Sequence, residues 1–230
     1  MNEQRKCWLD EDEYEQFSEW LIQASKTKRY SHLAKLVEIC DLMIYTGMRR
    51  EELLGLKWDS FNYEKSTLTI KAVRVKTSTG DVYEEKLKSY PSYRVYTLTD
   101  RIRDLLQHIR ERHQSLGIYN PDGFIFIWET GENWHLGKEY KTDYITPLFK
   151  TAIKACDVID DKSLRFHHLR HSCCSIMCKL GYKKEDTQSW IGHADGSKVT
   201  DRVYNHYDRI LDISKLQKYD EALTRKRSST

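Results

Sequence analysis

The sequence predicts a mainly α protein with a small antiparallel β-sheet, an α+β arrangement, and three observations carry that expectation. Apolar residues recur at helical spacing in the first and last parts of the chain, β-branched residues alternate only between about residues 59 and 98, and glycine-containing turn clusters separate these stretches. With 230 residues, 39% of them hydrophobic and 12% aromatic, and only 3 prolines, the composition is that of a folded domain and not of a disordered or collagen-like chain. The expected organisation is a single domain over residues 1–230, with helices at about 11–56, the sheet at about 59–98, helices at about 100–223 and a mobile polar tail at 224–230.

Each element has its own signal. Tyr14, Phe17, Leu21 and Ile22 follow Asp10, a residue able to cap, and acidic side chains fill the first turn, which predicts a helix over 11–26. Leu33, Leu36, Val37, Cys40 and Ile44 form a second stripe that stops at Gly47, and a short helix restarts at Arg50 and runs to Leu56. Thr67 to Ile70, Val73, Val75 and Arg94 to Tyr96 read as strands, with a turn at Ser78, Thr79 and Gly80. Ile102, Leu105, Leu106 and Ile109 give a helix ending near Gly117, Asn120 to Gly123 a dense turn, and Phe124 to Trp128 a short buried segment. From Asp143 onward the chain reads as helices broken near 157–163, Gly181 and 192–196, ending in an amphipathic run with Ile210, Ile213, Leu216, Tyr219 and Leu223.

Composition also excludes classes of function. No uncharged run approaches the ~18 to 20 apolar residues of a membrane span, and Met1 to Glu13 carries charges where a signal peptide needs an apolar stretch, so the expected location is cytoplasmic with no membrane partner. Six cysteines without a secretory signal read as reduced thiols. Net charge is only +3, but residues 65–94 hold seven Lys/Arg against three Asp/Glu, and residues 209–230 six against three. Such local excess suits phosphate binding, as it also suits an ordinary solvated hairpin.

Three clusters carry residue types suited to chemistry. In the first, Thr46, Gly47, Met48, Arg49, Arg50, Glu51, Glu52 and Leu53, a glycine-ended helix turning into another leaves Arg49 at a junction, with Glu52 three residues on to orient its guanidinium. The plain alternative is an exposed helix start with Glu52 in a solvent pair. In the second, Phe166, His167, His168, Leu169, Arg170 and His171, a proton-transfer group at His167 and a fixed cation at Arg170 share one helical face. One alternative there is a helix with one buried and two solvated histidines; another is zinc on His167 and His171, which lacks the glutamate of the zinc-protease motif. Cys173, Cys174 and Cys178 are expected to fill core beside Ile176 and Met177. The third cluster is Trp190, Ile191, Gly192, His193 and then Tyr204, Asn205, His206, Tyr207. A tyrosine hydroxyl, of reference pKa about 10, becomes a nucleophile only where nearby cations ease its ionisation.

In order and spacing these clusters strongly resemble the catalytic domain of the tyrosine recombinases, the phage-integrase family, over nearly the whole chain. Thr46 to Arg49 with Glu52, Leu53, Leu56 and Trp58 resembles the family's first-arginine box, and His167 to His171 its His-x-x-Arg box. Trp190 to His193 is similar to the Leu-Gly-His segment, and Tyr204, Asn205, His206 to the nucleophile segment. Lys88, Ser89, Tyr90, Pro91, Ser92, Tyr93, Arg94 is similar to the Lys-Thr-(x-x)-Ser-x-Arg hairpin pattern, which points to Lys88, with Lys86 and Lys76 as fallbacks.

What the resemblance implies is a site-specific DNA recombinase with catalytic residues Arg49, Lys88, His167, Arg170, His193 and Tyr204. Tyr204 would attack a DNA phosphodiester to give a 3′-phosphotyrosyl enzyme and a free 5′-hydroxyl, Arg49 and Arg170 would clamp the nonbridging oxygens, and Lys88 would protonate the leaving oxygen. His167 would move the tyrosine proton or hold the phosphate, and His193 would hydrogen-bond it. No cofactor and no metal is implied, because the covalent link conserves the bond energy. The implied partners are double-stranded DNA and further copies of the chain, a homo-tetramer on DNA and a monomer without it. Tyr207, a turn beyond Tyr204, is the alternative nucleophile. Met1 to Asp10 leaves no room for the N-terminal DNA-binding domain that family members carry, so a catalytic-domain fragment or a minimal member is expected. The amphipathic run from Leu211 to Leu223 could dock on a neighbouring copy or on its own domain. Other readings are type IB topoisomerase-like DNA relaxation, a non-catalytic DNA-binding module, and a zinc hydrolase on His167 and His171.

Overall fold

Asp10 starts the first helix by reciprocal bonding. Its carboxylate accepts from the Glu13 N–H at 3.0 Å while the Glu13 carboxylate accepts from the Asp10 N–H at 2.9 Å, and Glu11, Asp12 and Glu13 lie where the helix dipole favours anions. A computed structural model describes residues 8–85, 93–131, 135–192 and 213–224. Along the chain, α1 (Glu11–Ser25), α2 (Ala34–Thr46, entered through a 3-10 turn at Ser31–Leu33) and α3 (Arg50–Leu54) come first. The strands β1 (Phe61–Asn62), β2 (Thr67–Ile70), β3 (Val73–Thr77), β4 (Gly80–Glu84) and β5 (Arg94–Thr97) follow. Then come α4 (Asp100–Ser115), α5 (Ile145–Ala155), α6 (His168–Lys179), α7 (Lys184–Ile191) and α8 (Ile213–Thr224). The chain divides into two units, a helical one of Met1–Gly47, Asp143–Tyr182 and Lys218–Thr230, and a sheet-bearing one of Met48–Thr142 and Lys183–Gln217.

The helical unit is built around α2. Residues 39–46, the second half of α2, are all buried, the pattern of a helix surrounded on every side. Asp41, the one acid in that run, accepts from the Tyr14 hydroxyl at 2.6 Å, so its burial leaves a polar group satisfied. Phe149 of α5 meets both Phe17 of α1 and Phe166 edge-to-face at 5.7 Å, the arrangement the ring quadrupole favours. Gly47 ends α2 in the left-handed region at φ 60°, donating its N–H to the Met43 carbonyl at 2.8 Å. Tyr219 lies 5.7 Å from Tyr45, and its hydroxyl donates to the Ile44 carbonyl, so this part of the amphipathic C-terminal run packs on its own chain. Cys173 is buried as expected, but Cys174 is half-buried and Cys178 exposed. The correction follows from the helix period: three cysteines at these offsets cannot share one face.

Among its described residues the sheet-bearing unit holds two sheets where the sequence predicts one. β1, β2 and β5 form a three-stranded antiparallel sheet in that order, with Leu68 opposite Tyr96 and Ile70 opposite Arg94, and among the described residues β3 pairs with β4 alone, around the turn at Ser78 and Thr79. Both edges of β2 are occupied, by β1 and by β5, so β3 has no ladder to extend there and closes on β4 instead. Gly55 permits the end of α3 to approach β3: a Cβ there would sit 3.0 Å from the Val73 backbone. Phe124 to Ile127 are buried as expected, bridged singly to Lys57 and Glu139. No described helix is long and apolar enough to cross a membrane.

Candidate active site

Arg49 belongs to the sheet-bearing unit and sits at the N-cap of α3. An arginine has no acceptor with which to cap, so the helix start is satisfied from the other side: Glu52, at the third helical position, accepts the Arg49 N–H at 2.8 Å. The same carboxylate accepts from Arg49 Nη1 at 2.8 Å, and Arg49 Nη2 donates to the Gly192 carbonyl at 3.1 Å. Glu52 is no solvent pair. Its side chain is 1% exposed while that of Arg49 is 40% exposed, so a buried acid holds a cation that faces outward.

The second holder of Glu52 is Arg94, 3% exposed, whose Nη2 donates to Oε2 at 2.7 Å. Burial by itself raises the Glu52 carboxyl, but the charge and hydrogen bond of Arg94, the Arg49 N–H and the Arg49 charge together hold it below its ordinary value. Burial likewise works against the charge on Arg94, and Tyr96 and Glu52 more than reverse it. Two guanidiniums therefore share one carboxylate, and the cluster retains a net unit of positive charge at the exposed end. Arg94 enters the sequence reading as the last residue of the hairpin pattern and Tyr96 as a strand residue, and neither is given a place in the site there. The signal that finds them is strand alternation, which puts both on the buried face of β5, where an arginine requires an acid.

His167 and Arg170 belong to the helical unit. His167 is the N-cap of α6 and is exposed, with its carbonyl accepting the Arg170 N–H at 3.1 Å. Arg170, 9% exposed, donates through Nη1 to the Gly47 carbonyl. The rings of His167 and His168 meet edge-to-face at 4.2 Å, and His171 lies 5.9 Å and 5.8 Å from them. His168 Nδ1 accepts the Arg165 N–H at 3.2 Å, which leaves the ring proton on Nε2. Burial, then the charges of His167, His171 and Arg165, push its pKa down to about 4, so His168 is neutral near pH 7. His168 is half-buried and His171 exposed.

Lys88 and its fallback Lys86, His193, Tyr204 and Tyr207 lie outside the described residues. Lys76 is exposed on β3, opposite Asp81. Among the described residues no group of three or more His, Cys, Asp or Glu side chains is placed to hold a metal.

The chain is 26% identical over 212 residues to "Tyrosine recombinase XerC-like" of Caldanaerobacter subterraneus subsp. tengcongensis, covering 85% of this chain and 51% of that protein. It is 24% identical over 207 residues to "Prophage ps2 probable integrase" of Lactococcus lactis subsp. lactis, covering 86% of this chain and 50% of that one. The chain thus spans about half the length of the curated relatives it matches. Among solved structures, the Tn1549 transposon integrase in complex with a circular intermediate DNA superposes with a TM-score of 0.65 at 17% identity, over 95% of this chain and 62% of that one, so the fold is that of a tyrosine recombinase catalytic domain. The model of the phage integrase family matches residues 7–209, and the chain belongs to that family.

Proposed function

We propose that the chain is the catalytic domain of a site-specific DNA recombinase that cuts and rejoins double-stranded DNA to integrate or excise a mobile element. The Tyr204 oxygen forms a bond to phosphorus as the bond from phosphorus to the 5′-oxygen breaks. The tyrosine proton passes to His167, and Lys88 supplies a proton to the departing 5′-oxygen, leaving a 3′-phosphotyrosyl link and a 5′-hydroxyl. The 5′-hydroxyl of another strand then reverses the step, which completes strand exchange without a cofactor. Arg49, Arg170 and His193 stabilise the charge that grows on the nonbridging oxygens, the main term available to phosphoryl transfer when fixed cations do the work.

The observation that carries this reading is the outward-facing guanidinium of Arg49 on a buried Glu52. A cation pre-oriented by a carboxylate, which a second arginine in turn neutralises, meets an anion without first paying to reorganise. At the head of α6 the helix dipole adds partial positive charge beside His167. The same reading has four copies assembling on DNA and separating without it, and places the protein in the cytoplasm.

Covalent trapping tests the function. The protein is incubated with nicked duplexes from a pool of sequences, so that the 5′-hydroxyl fragment is lost after cleavage, and is run on a denaturing gel with chelator present. The expected result is a protein–DNA adduct in the wild type that disappears in Tyr204→Phe. An adduct that survives in Tyr204→Phe moves the nucleophile to Tyr207, and a wild type that binds DNA without forming any adduct overturns the catalytic reading.

A further inference from the structure

Two acceptors hold the guanidinium of Arg49, the Glu52 carboxylate and the Gly192 carbonyl, and β5 stands behind both. Arg94 Nη2 donates to Glu52 at 2.7 Å, and the Tyr96 hydroxyl donates to the Trp190 carbonyl at 2.9 Å, two residues before Gly192 at the C-terminal end of α7. Arg94 Nε donates to the Tyr96 hydroxyl at 2.8 Å and so joins the two supports. The hydrogen bonds run in one sense only: a guanidinium cannot accept and a carbonyl cannot donate, so Tyr96 must accept from Arg94 and donate to Trp190. The end of a helix leaves its last carbonyls without intrahelical donors, and Tyr96 supplies one of them.

We propose that Arg94 and Tyr96 are positioning residues for Arg49, fixing through Glu52 and the α7 terminus the direction in which its guanidinium points. Strand geometry makes the pair suitable. Residues two apart on one strand project on the same face at a spacing set by the pleat, and the pairing of Arg94 with Ile70 and of Tyr96 with Leu68, both buried, locks the register. The Tyr96 ring also stands edge-to-face on Trp190 at 4.5 Å, so removing the hydroxyl alone leaves the packing in place. With the hydroxyl gone, the Trp190 carbonyl and Arg94 Nε both lose a partner, and the α7 end is released from one side of Arg49. The consequence for DNA cleavage rests on the function proposed above; the positioning itself does not.

The test uses the full chain labelled with 15N-arginine, with the guanidinium signal of Arg49 identified by its loss in Arg49→Lys. Tyr96→Phe is expected to speed rotation and water exchange of the Arg49 guanidinium by about tenfold, the effect of one lost hydrogen bond of ordinary strength, while the signal of Arg103, which pairs with Asp100 and Asp104 on α4, stays unchanged. Arg94→Lys, which keeps a cation near Glu52 but gives up the fork that also reaches Tyr96, is expected to act in the same direction and serves if Tyr96→Phe does not fold. An Arg49 signal unaltered in the folded variant, or one that changes only together with Arg103, overturns the proposal. With nicked DNA, Tyr96→Phe is further expected to slow adduct formation about tenfold at unchanged DNA affinity. Quickened Arg49 exchange in a protein whose wild type forms no adduct upholds the positioning role and removes the recombinase reading.

Discussion

Arg49 and Arg170 are held in two different ways. Arg49 rests on a side chain and a carbonyl: Glu52 accepts from it at 2.8 Å and is fastened by Arg94 at 2.7 Å, and the Gly192 carbonyl accepts at 3.1 Å, all within the sheet-bearing unit. Arg170 uses backbone: its Nη1 donates to the carbonyl of Gly47, in the helical unit, where that glycine turns left-handed to end α2. A side-chain acceptor can be erased by one substitution, whereas a backbone acceptor can be disturbed only by changing the path of the chain. The hold on the first arginine therefore draws on side chains far apart in sequence, and the bond from the second to Gly47 draws on the turn that ends α2.

Substitutions at these supports should separate the two designs, and the largest effect is expected at Glu52. Glu52→Gln leaves Arg94 buried without its counter-charge and should cost about 3–5 kcal/mol in urea or thermal unfolding, since one partner of a buried ion pair is removed. A cost near zero would break the comparison. The pH dependence has the same origin. Because the Glu52 carboxyl lies below its ordinary value of 4.5 in the folded protein, its contribution is present above that pH and is lost as pH falls through the folded value. Gly47→Ala comes next, at about 1–2 kcal/mol for a Cβ in the left-handed region, measured in the same unfolding series. A loss exceeding that of Glu52→Gln would reverse the ranking of the two supports.

The smallest effect sharpens the picture around His167. His168 has its pKa lowered from 6.5 to about 4, so the unfolded chain binds a proton that the folded one refuses between those values. Stability carried by this group is complete above pH 6.5 and declines as pH falls toward 4. His168→Asn should flatten that part of a melting-temperature series from pH 4 to 6.5 and leave the neutral-pH value nearly unchanged. An unaltered slope would show that the three-histidine cluster does not resist protonation at His168.

Much of the fold and part of the candidate site were legible along the chain, because short-range physics writes them there. The Asp10 cap, the stop at Gly47, the turn at Ser78 and Thr79 and the helical stripes are each settled within a few residues. The order of motifs marked Arg49, His167 and Arg170, and strand alternation could have flagged Arg94 as a buried cation in search of an acid. Glu52 was legible as the partner of Arg49, three residues away, but partners from distant segments were not. That Glu52 is buried and also serves Arg94, that β2 takes β5 on its free edge and turns β3 away, and that Tyr96 reaches the end of α7 were decided by tertiary structure alone. The reason is physical: periodicity and capping depend on neighbours in the chain, whereas a buried polar group is satisfied by whichever donor or acceptor long-range packing brings to it.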